Sequence, residues 1–101
     1  MSWVNSFEGL IDFLSLVIVH APDEFPKEDY LRDDEQLNLD KAFAEIEQGM
    51  QYVAQRIPDQ AVLKQLRGNL EASLAAYKRG DDVKGAHLLQ DFERTLLEKN
   101  R

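Results

Sequence analysis

The fold of this chain is decided by residues 39–57, which read LDKAFAEIEQGMQYVAQRI. The apolar residues of this stretch follow one another at steps of 4, 3, 4, 3 and 4: Leu39, Phe43, Ile46, Met50, Val53 and Ile57. Only a helix places residues with this spacing on one face. We therefore predict a long amphipathic helix with an apolar seam, and we expect the other segments to be helices that cover that seam.

Length and composition are typical of one globular unit. The chain has 101 residues, 44% of them apolar, and it contains no cysteine. This length predicts one domain over residues 1–101, and the apolar spacing predicts that the domain is helical. The absence of cysteine excludes disulfides, thiolate zinc sites and cysteine nucleophiles, and it fits a reducing compartment.

The net charge of -7 is concentrated in one quarter of the chain. Residues 23–47 carry ten acids and three bases, whereas residues 1–22 contribute -2 and residues 48–101 contribute +2. Such a field repels nucleic acid and anionic membranes, and it attracts basic partners or cations. We therefore expect a basic protein partner, and no nucleic-acid or membrane partner.

The apolar run over residues 13–19 raises the question of a targeting signal. No Lys or Arg precedes the run, Glu8 and Asp12 interrupt the region before it, and Pro22 follows closely. This pattern predicts no signal peptide, and the run is shorter than the roughly 20 residues that a membrane-spanning helix needs. We expect a cytoplasmic protein.

The first helix is predicted over residues 3–20, with Ser2 as its N-cap. A buried strand over residues 13–19 is the alternative, because Val17, Ile18 and Val19 are β-branched. Helix is favoured, since the helical spacing extends back to Phe7 and no second segment offers a strand that could pair with the first.

A long connection follows the first helix. Pro22 ends that helix and Pro26 keeps the next residues extended. Residues 21–32 are therefore predicted to be a loop, and the second helix to begin at Asp33 or Asp34 and end at the close of the seam. Ordered loops of this length carry function more often than short ones.

Turn signals delimit the last two helices. Asp59, directly after Pro58, is the predicted N-cap of the third helix, and Gly80 is its predicted C-terminal cap. Asp81 or Asp82 is expected to cap the fourth helix. Short turns between helices of similar length predict an all-α, antiparallel four-helix bundle with the long acidic connection between helices 1 and 2.

Three glycines interrupt the predicted helices at positions 49, 68 and 85. A glycine inside a helix costs about 1 kcal/mol relative to alanine. Close approach of two helices would explain these positions, and an exposed site for partner contact would explain one of them.

The acidic segment, which we define as residues 23–35, is the candidate partner-binding surface. The candidate residues are its seven acids and one tyrosine that lies off the apolar seam: Asp23, Glu24, Glu28, Asp29, Asp33, Asp34, Glu35 and Tyr52. A tyrosine exposed on the seam helix would be suited to anchor a partner. A solvated loop followed by ordinary helix N-terminal charges explains the same acids, so that alternative stays open. No metal site is predicted, since residues 33–35 lack the alternating spacing and the glycine of a calcium loop.

No catalytic or cofactor motif is present. His20 and His87 belong to no recognised ligand set, since Val17 and Lys84 stand where a di-metal helical bundle has glutamates. No glycine-rich loop precedes a helix as a phosphate site requires. We therefore predict no catalytic residue and no cofactor, and a protein that is not an enzyme.

Two short motifs accompany the predicted four-helix arrangement. They are FPKEDYL at 25–31 leading into DEQL at 34–37, and Gly80-Asp81 before Leu88-Leu89. In these motifs and in its size, charge and order of helices, the chain resembles the small all-α immunity proteins of bacterial toxin systems. The resemblance implies stoichiometric binding to a toxin domain, often a basic nuclease, through an acidic face. The alternative is a secretion chaperone or adaptor with an apolar groove for protein clients, for which the apolar residues 3–19 would supply surface. Monomer and homodimer both stay open.

Overall fold

The computed structural model describes residues 3–21, 23, 25, 27, 29–32, 34 and 36–100. These residues form four α-helices and no β-strand: α1 Phe7–His20, α2 Leu39–Arg56, α3 Gln60–Lys78 and α4 Asp82–Lys99. The all-helical prediction is confirmed for this part of the chain. The alternative of a strand over residues 13–19 is wrong, because these residues lie inside α1. None of the four helices combines the length and the apolar character needed to cross a membrane.

The predicted ends of α3 and the start of α4 are confirmed. The Asp59 side chain accepts hydrogen bonds from the N–H groups of Ala61 and Val62 in the first turn of α3. The Asp81 side chain accepts one from the N–H of Lys84 in the first turn of α4. Gly80 follows the C-cap residue of α3 and has a φ of 89°. This left-handed conformation favours glycine, which has no Cβ to clash with the backbone.

The first helix begins later than expected. Ser6 is the N-cap of α1, and its hydroxyl oxygen accepts from the N–H of Gly9 at 2.9 Å. Ser2, the N-cap expected from the sequence, lies outside the described residues. Residues 3–5 therefore precede the helix and are not its first turn.

The second helix also begins later, so the predicted start at Asp33 or Asp34 is wrong. α2 begins at Leu39, and the Asn38 side chain caps it by accepting from the N–H of Lys41 at 2.9 Å. Asparagine caps helices as well as aspartate does, and Asn38 stands immediately before the apolar seam. The connection between α1 and α2 is correspondingly longer than the predicted 21–32.

The seam of α2 contributes the centre of the hydrophobic core. Five of its six apolar residues are buried, and Leu39 at its start is half-buried. The other helices add their own apolar stripes, with these large residues fully or nearly fully buried: Phe7, Leu10, Phe13, Leu14 and Val17 from α1, Leu63, Leu66, Leu70 and Tyr77 from α3, and Leu89, Phe92 and Leu96 from α4. The α2 seam is thus covered by the other helices, as the sequence predicts.

Each helix packs mainly against two others, in the order α1–α2–α3–α4 and back to α1. Two ion pairs show how α2 and α3 are matched. Asp40 in the first turn of α2 pairs with Lys78 in the last turn of α3 at 3.0 Å. Further along α2, Glu47 pairs with Arg67 at 3.8 Å, and Arg67 lies earlier in α3.

Two of the three helical glycines lie at close helix contacts. A Cβ built on Gly49 would lie 3.0 Å from a side-chain carbon of Leu10 in α1. A Cβ on Gly85 would lie 2.8 Å from two ring carbons of Tyr77 in α3. Gly68, by contrast, is exposed and has open space around its Cα. Close approach therefore explains two glycines and not the third.

Candidate functional site

Three of the seven acids proposed as partner contacts can be placed in the structure. Asp23, Asp29 and Asp34 are exposed. The other four lie outside the described residues: Glu24, Glu28, Asp33 and Glu35. The exposed acids are available to solvent and to a partner alike.

Asp34 lies beside the first turn of α2. Its backbone carbonyl accepts a hydrogen bond from the Lys41 ammonium group. Its carboxylate pairs with Arg32 at 3.5 Å, and both side chains are about three-quarters exposed. Water screens such a pair, so it contributes at most about 1 kcal/mol. The backbone contact ties Asp34 to the first turn of α2.

Tyr52 is less accessible than the sequence suggested. It is half-buried and packs against the hydrophobic core. It lies one helical turn after Gly49, where α2 meets α1. Part of the ring is therefore shielded from solvent, although Tyr52 stands off the apolar seam.

A groove of about 300 Å³ lies between α2 and α3. Its lining consists of four residues from α2 and three from α3: Asp40, Phe43, Ala44, Glu47, Leu70, Glu71 and Leu74. Asp40, Ala44 and Glu47 are spaced by four and three residues, so they share one flank of α2. The groove combines apolar side chains with three carboxylates and lies at the end of α2 that Asp34 contacts.

Two ion pairs connect α2 and α3 at this groove. Asp40 pairs with Lys78, and Glu47 pairs with Arg67, so two of the three lining carboxylates already have a cation. Glu71, the third, forms no ion pair with any residue that the structure describes. The four paired side chains are between 51% and 73% exposed, so each pair contributes at most about 1 kcal/mol.

The apolar surface expected over residues 3–19 is mostly covered. Six of its large apolar residues are buried: Val4, Phe7, Leu10, Phe13, Leu14 and Val17. The N–H groups of Trp3 and Val4 donate to the Glu45 carboxylate at 2.6 and 3.3 Å, which holds the N-terminal residues against α2. Val19 is an exception, with 73% of its surface exposed. This region therefore offers little continuous apolar surface for a client.

Arg56 reinforces the contact between α1 and α2. It donates a hydrogen bond to Glu8 at 2.7 Å, and its guanidinium lies 5.0 Å from the centre of the Phe7 ring. The hydrogen bond from Arg56 lowers the pKa of the Glu8 carboxyl. These contacts fix the start of α1 and lie outside the groove.

The titratable groups outside the groove include two histidines and one buried tyrosine. The part of the chain that the structure describes holds no group of three or more His, Cys, Asp or Glu side chains placed to bind a metal. His20 is half-buried in the last turn of α1, and His87 is exposed on α4. The Tyr77 hydroxyl is buried and has no hydrogen-bond partner among the described residues. Burial raises its pKa, and the negative charge of Asp82 adds to the shift.

Comparison with known proteins does not assign the chain to a group. No family model, curated protein or solved structure matches it. The resemblance to immunity proteins stays a prediction, and the groove and the charge are the features from which function can be argued.

Proposed function

We propose that this protein is a non-catalytic, acidic binding module that inhibits a basic protein partner such as a toxin domain, in the manner of an immunity protein. The groove between α2 and α3 is the observation that carries the proposal. Its apolar lining is bordered by carboxylates, and Asp34 of the acidic segment contacts Lys41 in the first turn of α2, the helix that supplies four of the lining residues. A partner surface with cationic and apolar side chains is complementary to both features.

We also infer that the four helices form an antiparallel bundle that acts in the cytoplasm. The order of the ion pairs between α2 and α3 supports opposite directions for these two helices. Such a bundle leaves the α2–α3 groove and the described acids Asp23, Asp29 and Asp34 accessible to a partner.

Charge gives the acidic segment and the groove different roles. The net charge of -7 attracts a basic partner over a distance and speeds association, with a strong dependence on salt. Apolar contacts and desolvated charge pairs act after docking and slow dissociation. We thus assign fast association to the acidic segment and slow dissociation to the groove.

A pull-down from native lysate tests the proposal. The protein serves as bait, the washes follow a salt series, and bound proteins are identified by mass spectrometry. We expect one basic partner at equal stoichiometry, released progressively as salt increases. Recovery of no basic protein at low salt would contradict the proposed function.

Kinetics with the recovered partner then test the acidic segment. The double variant Asp23→Asn/Asp29→Asn should associate about tenfold more slowly at low salt, with a flatter salt dependence, because the steering field is weaker. Its dissociation rate should stay close to that of the wild type. The control Asp12→Asn/Glu98→Gln removes the same charge from exposed positions on α1 and α4. Equal slowing by both double variants would mean that net charge, and not the acidic segment, steers association.

A chaperone or adaptor is the second candidate, and the apolar lining of the groove favours it. The covered residues 3–19 count against it, because they leave little continuous apolar surface there. A self-associated bait that retains varied apolar clients at high salt would select this function over inhibition of a basic partner.

A further inference from the structure

We infer that the groove between α2 and α3 receives a single arginine side chain of the basic partner. This inference deepens the proposed function and rests on it for the identity of the partner. It names the chemical group that the groove selects and the carboxylate that recognises it, Glu71.

The dimensions of the groove argue for one side chain. The ion pairs at Asp40 and Glu47 lie seven residues apart on α2, which is about 10 Å along a helix axis. The volume of about 300 Å³ is at the small end of ligand pockets. A partner helix is roughly 10–12 Å wide with its side chains, and the atoms of the two ion pairs themselves occupy part of the spacing, so a helix does not fit between them. One extended side chain does.

The lining argues for a long side chain that ends in a cation. Phe43, Leu70 and Leu74 present apolar surface on which the methylene groups of an arginine can pack. Arginine is favoured over lysine, because its guanidinium is less strongly hydrated and pairs with a carboxylate through two hydrogen bonds.

Electrostatics identify Glu71 as the recognising carboxylate. Lys78 and Arg67 compensate the charges of Asp40 and Glu47. Glu71 has no such cation among the described residues, so it supplies the uncompensated negative charge of the groove. An apolar side chain in the groove would leave that charge without compensation, whereas a guanidinium neutralises it.

A titration followed by NMR tests the pocket without the partner. The probe is N-acetyl-arginine amide, added to the ¹⁵N-labelled full chain. The matched probe is N-acetyl-citrulline amide, which has nearly the same shape and no charge. We expect the arginine probe to shift the backbone amide signals of Ala44 and Leu74 at millimolar concentration, and the citrulline probe to shift them much less.

Two variants change the pocket in different ways. Glu71→Gln removes the charge and should weaken binding of the arginine probe about two- to fivefold, the range measured for exposed ion pairs. Ala44→Leu fills the groove from an exposed position and should abolish the shifts. The matched controls Glu98→Gln and Ala61→Leu make the same chemical changes at exposed positions outside the groove lining, and they should bind as the wild type does.

Several results would overturn the inference. Equal responses to arginine and citrulline probes would show that charge is not recognised. Wild-type affinity in Glu71→Gln or in Ala44→Leu would show that the groove is not the site. Groove signals that shift with protein concentration alone would identify a second copy of this chain as the occupant.

Kinetic measurements with the recovered partner distinguish failure of this inference from failure of the proposed function. We expect Glu71→Gln to raise the dissociation rate of the partner at least about tenfold, as for loss of one member of a desolvated charge pair. If Asp23→Asn/Asp29→Asn slows association while Glu71→Gln and Ala44→Leu change nothing, the proposed function stands and the arginine pocket is wrong. If no basic partner is recovered but the arginine probe binds as described, the proposed function is wrong and the pocket stands.

Discussion

Helix α3 contacts its two neighbours, α4 and α2, in different ways. Against α4 the contact is close and buried. A Cβ built on Gly85 would lie only 2.8 Å from two carbons of the Tyr77 ring. The buried Ser73 hydroxyl donates to the Gly85 carbonyl at 2.8 Å. Against α2 the buried edge-to-face contact of Tyr77 with Phe43 is flanked by an open groove of about 300 Å³ and by exposed ion pairs.

The difference indicates which boundary stabilises the fold and which is available for binding. Closely packed atoms gain dispersion energy and exclude water. Exposed ion pairs contribute little and weaken further in salt. We therefore expect substitutions at the close α3–α4 contact to destabilise the protein. The groove side of the α2–α3 boundary should tolerate both substitution and the entry of a ligand.

The largest effect on stability is expected when alanine replaces two helical glycines, in the variants Gly85→Ala and Gly68→Ala. Both variants gain about 1 kcal/mol of helix propensity. At Gly85 the new methyl group would overlap the Tyr77 ring, and such overpacking costs about 1–3 kcal/mol. At Gly68 nothing lies within 4 Å of the new atom. The free energies of unfolding, measured in urea, should therefore differ by about 1–3 kcal/mol, with Gly68→Ala more stable than the wild type.

The pair of variants provides its own control, because the helix-propensity change is shared. Equal stabilisation by both would show that Tyr77 moves aside without penalty. The contact of Tyr77 with Gly85 would then not be tightly packed, and the comparison would fail.

The second test removes the hydroxyl group that joins α3 to α4. Ser73→Ala should lower the free energy of unfolding by about 1 kcal/mol, since a buried hydrogen bond contributes about that much. Chemical denaturation measures the change. Ser15→Ala is the matched control, because the Ser15 hydroxyl also joins two helices, donating to Glu93 of α4 at 2.9 Å, but this hydrogen bond is exposed. Its loss should change stability by less than about 0.5 kcal/mol. Equal effects at both serines would contradict a special role for the buried contact.

Local features of this fold could be predicted from the sequence. Asp59, Gly80 and Asp81 act on the backbone within a few residues of themselves, so their roles as caps follow from local chemistry. The start of α2 could not be predicted, because Asp33, Asp34 and Asn38 are all competent caps. The choice of Asn38 places the helix start directly before the apolar seam.

The negative charge of the candidate site could be predicted from the sequence, whereas the groove between α2 and α3 could not. The composition of the acidic segment predicts attraction of a basic partner, but the groove depends on the separation of α2 from α3. That separation is a tertiary property, and Ala44 and Glu71 are unremarkable in the sequence. The partial burial of Tyr52 could not be predicted for the same reason, since it depends on packing against the core. The spacing of Asp40, Ala44 and Glu47 was the signal that could have indicated one flank of α2.

The third test concerns Tyr77, which contacts both neighbours of α3. Its ring lies against Gly85 of α4 and packs edge to face on Phe43 of α2, with ring centres 6.0 Å apart. Its buried hydroxyl has no partner among the described residues. Tyr77→Phe removes that hydroxyl and should raise the free energy of unfolding at neutral pH by up to about 1 kcal/mol.

The same variant predicts a difference at alkaline pH. Burial raises the pKa of Tyr77 above its ordinary value of 10.0, so the folded state holds its proton more tightly than the unfolded state. The stability from this group is present below pH 10 and is lost as pH rises through the raised pKa. Tyr77→Phe should lack this loss, measured as the difference between variant and wild type in urea at each pH. The exposed Tyr30→Phe is the control. A Tyr77→Phe variant that loses stability at alkaline pH as the wild type does would contradict the assignment.

The smallest expected effect is at the open boundary, where Asp40 pairs with Lys78. A double-mutant cycle with Asp40→Asn and Lys78→Gln should give a coupling energy of about 0.5 kcal/mol at low salt, because both side chains are exposed. The coupling should nearly vanish in 1 M salt, where the screening length is about 3 Å. The cycle also cancels the interaction of Asp40 with the N-terminal dipole of α2. A coupling well above 1 kcal/mol that persists in salt would mean that α2 and α3 are held as firmly as α3 and α4. The contrast between the two boundaries of α3 would then fail.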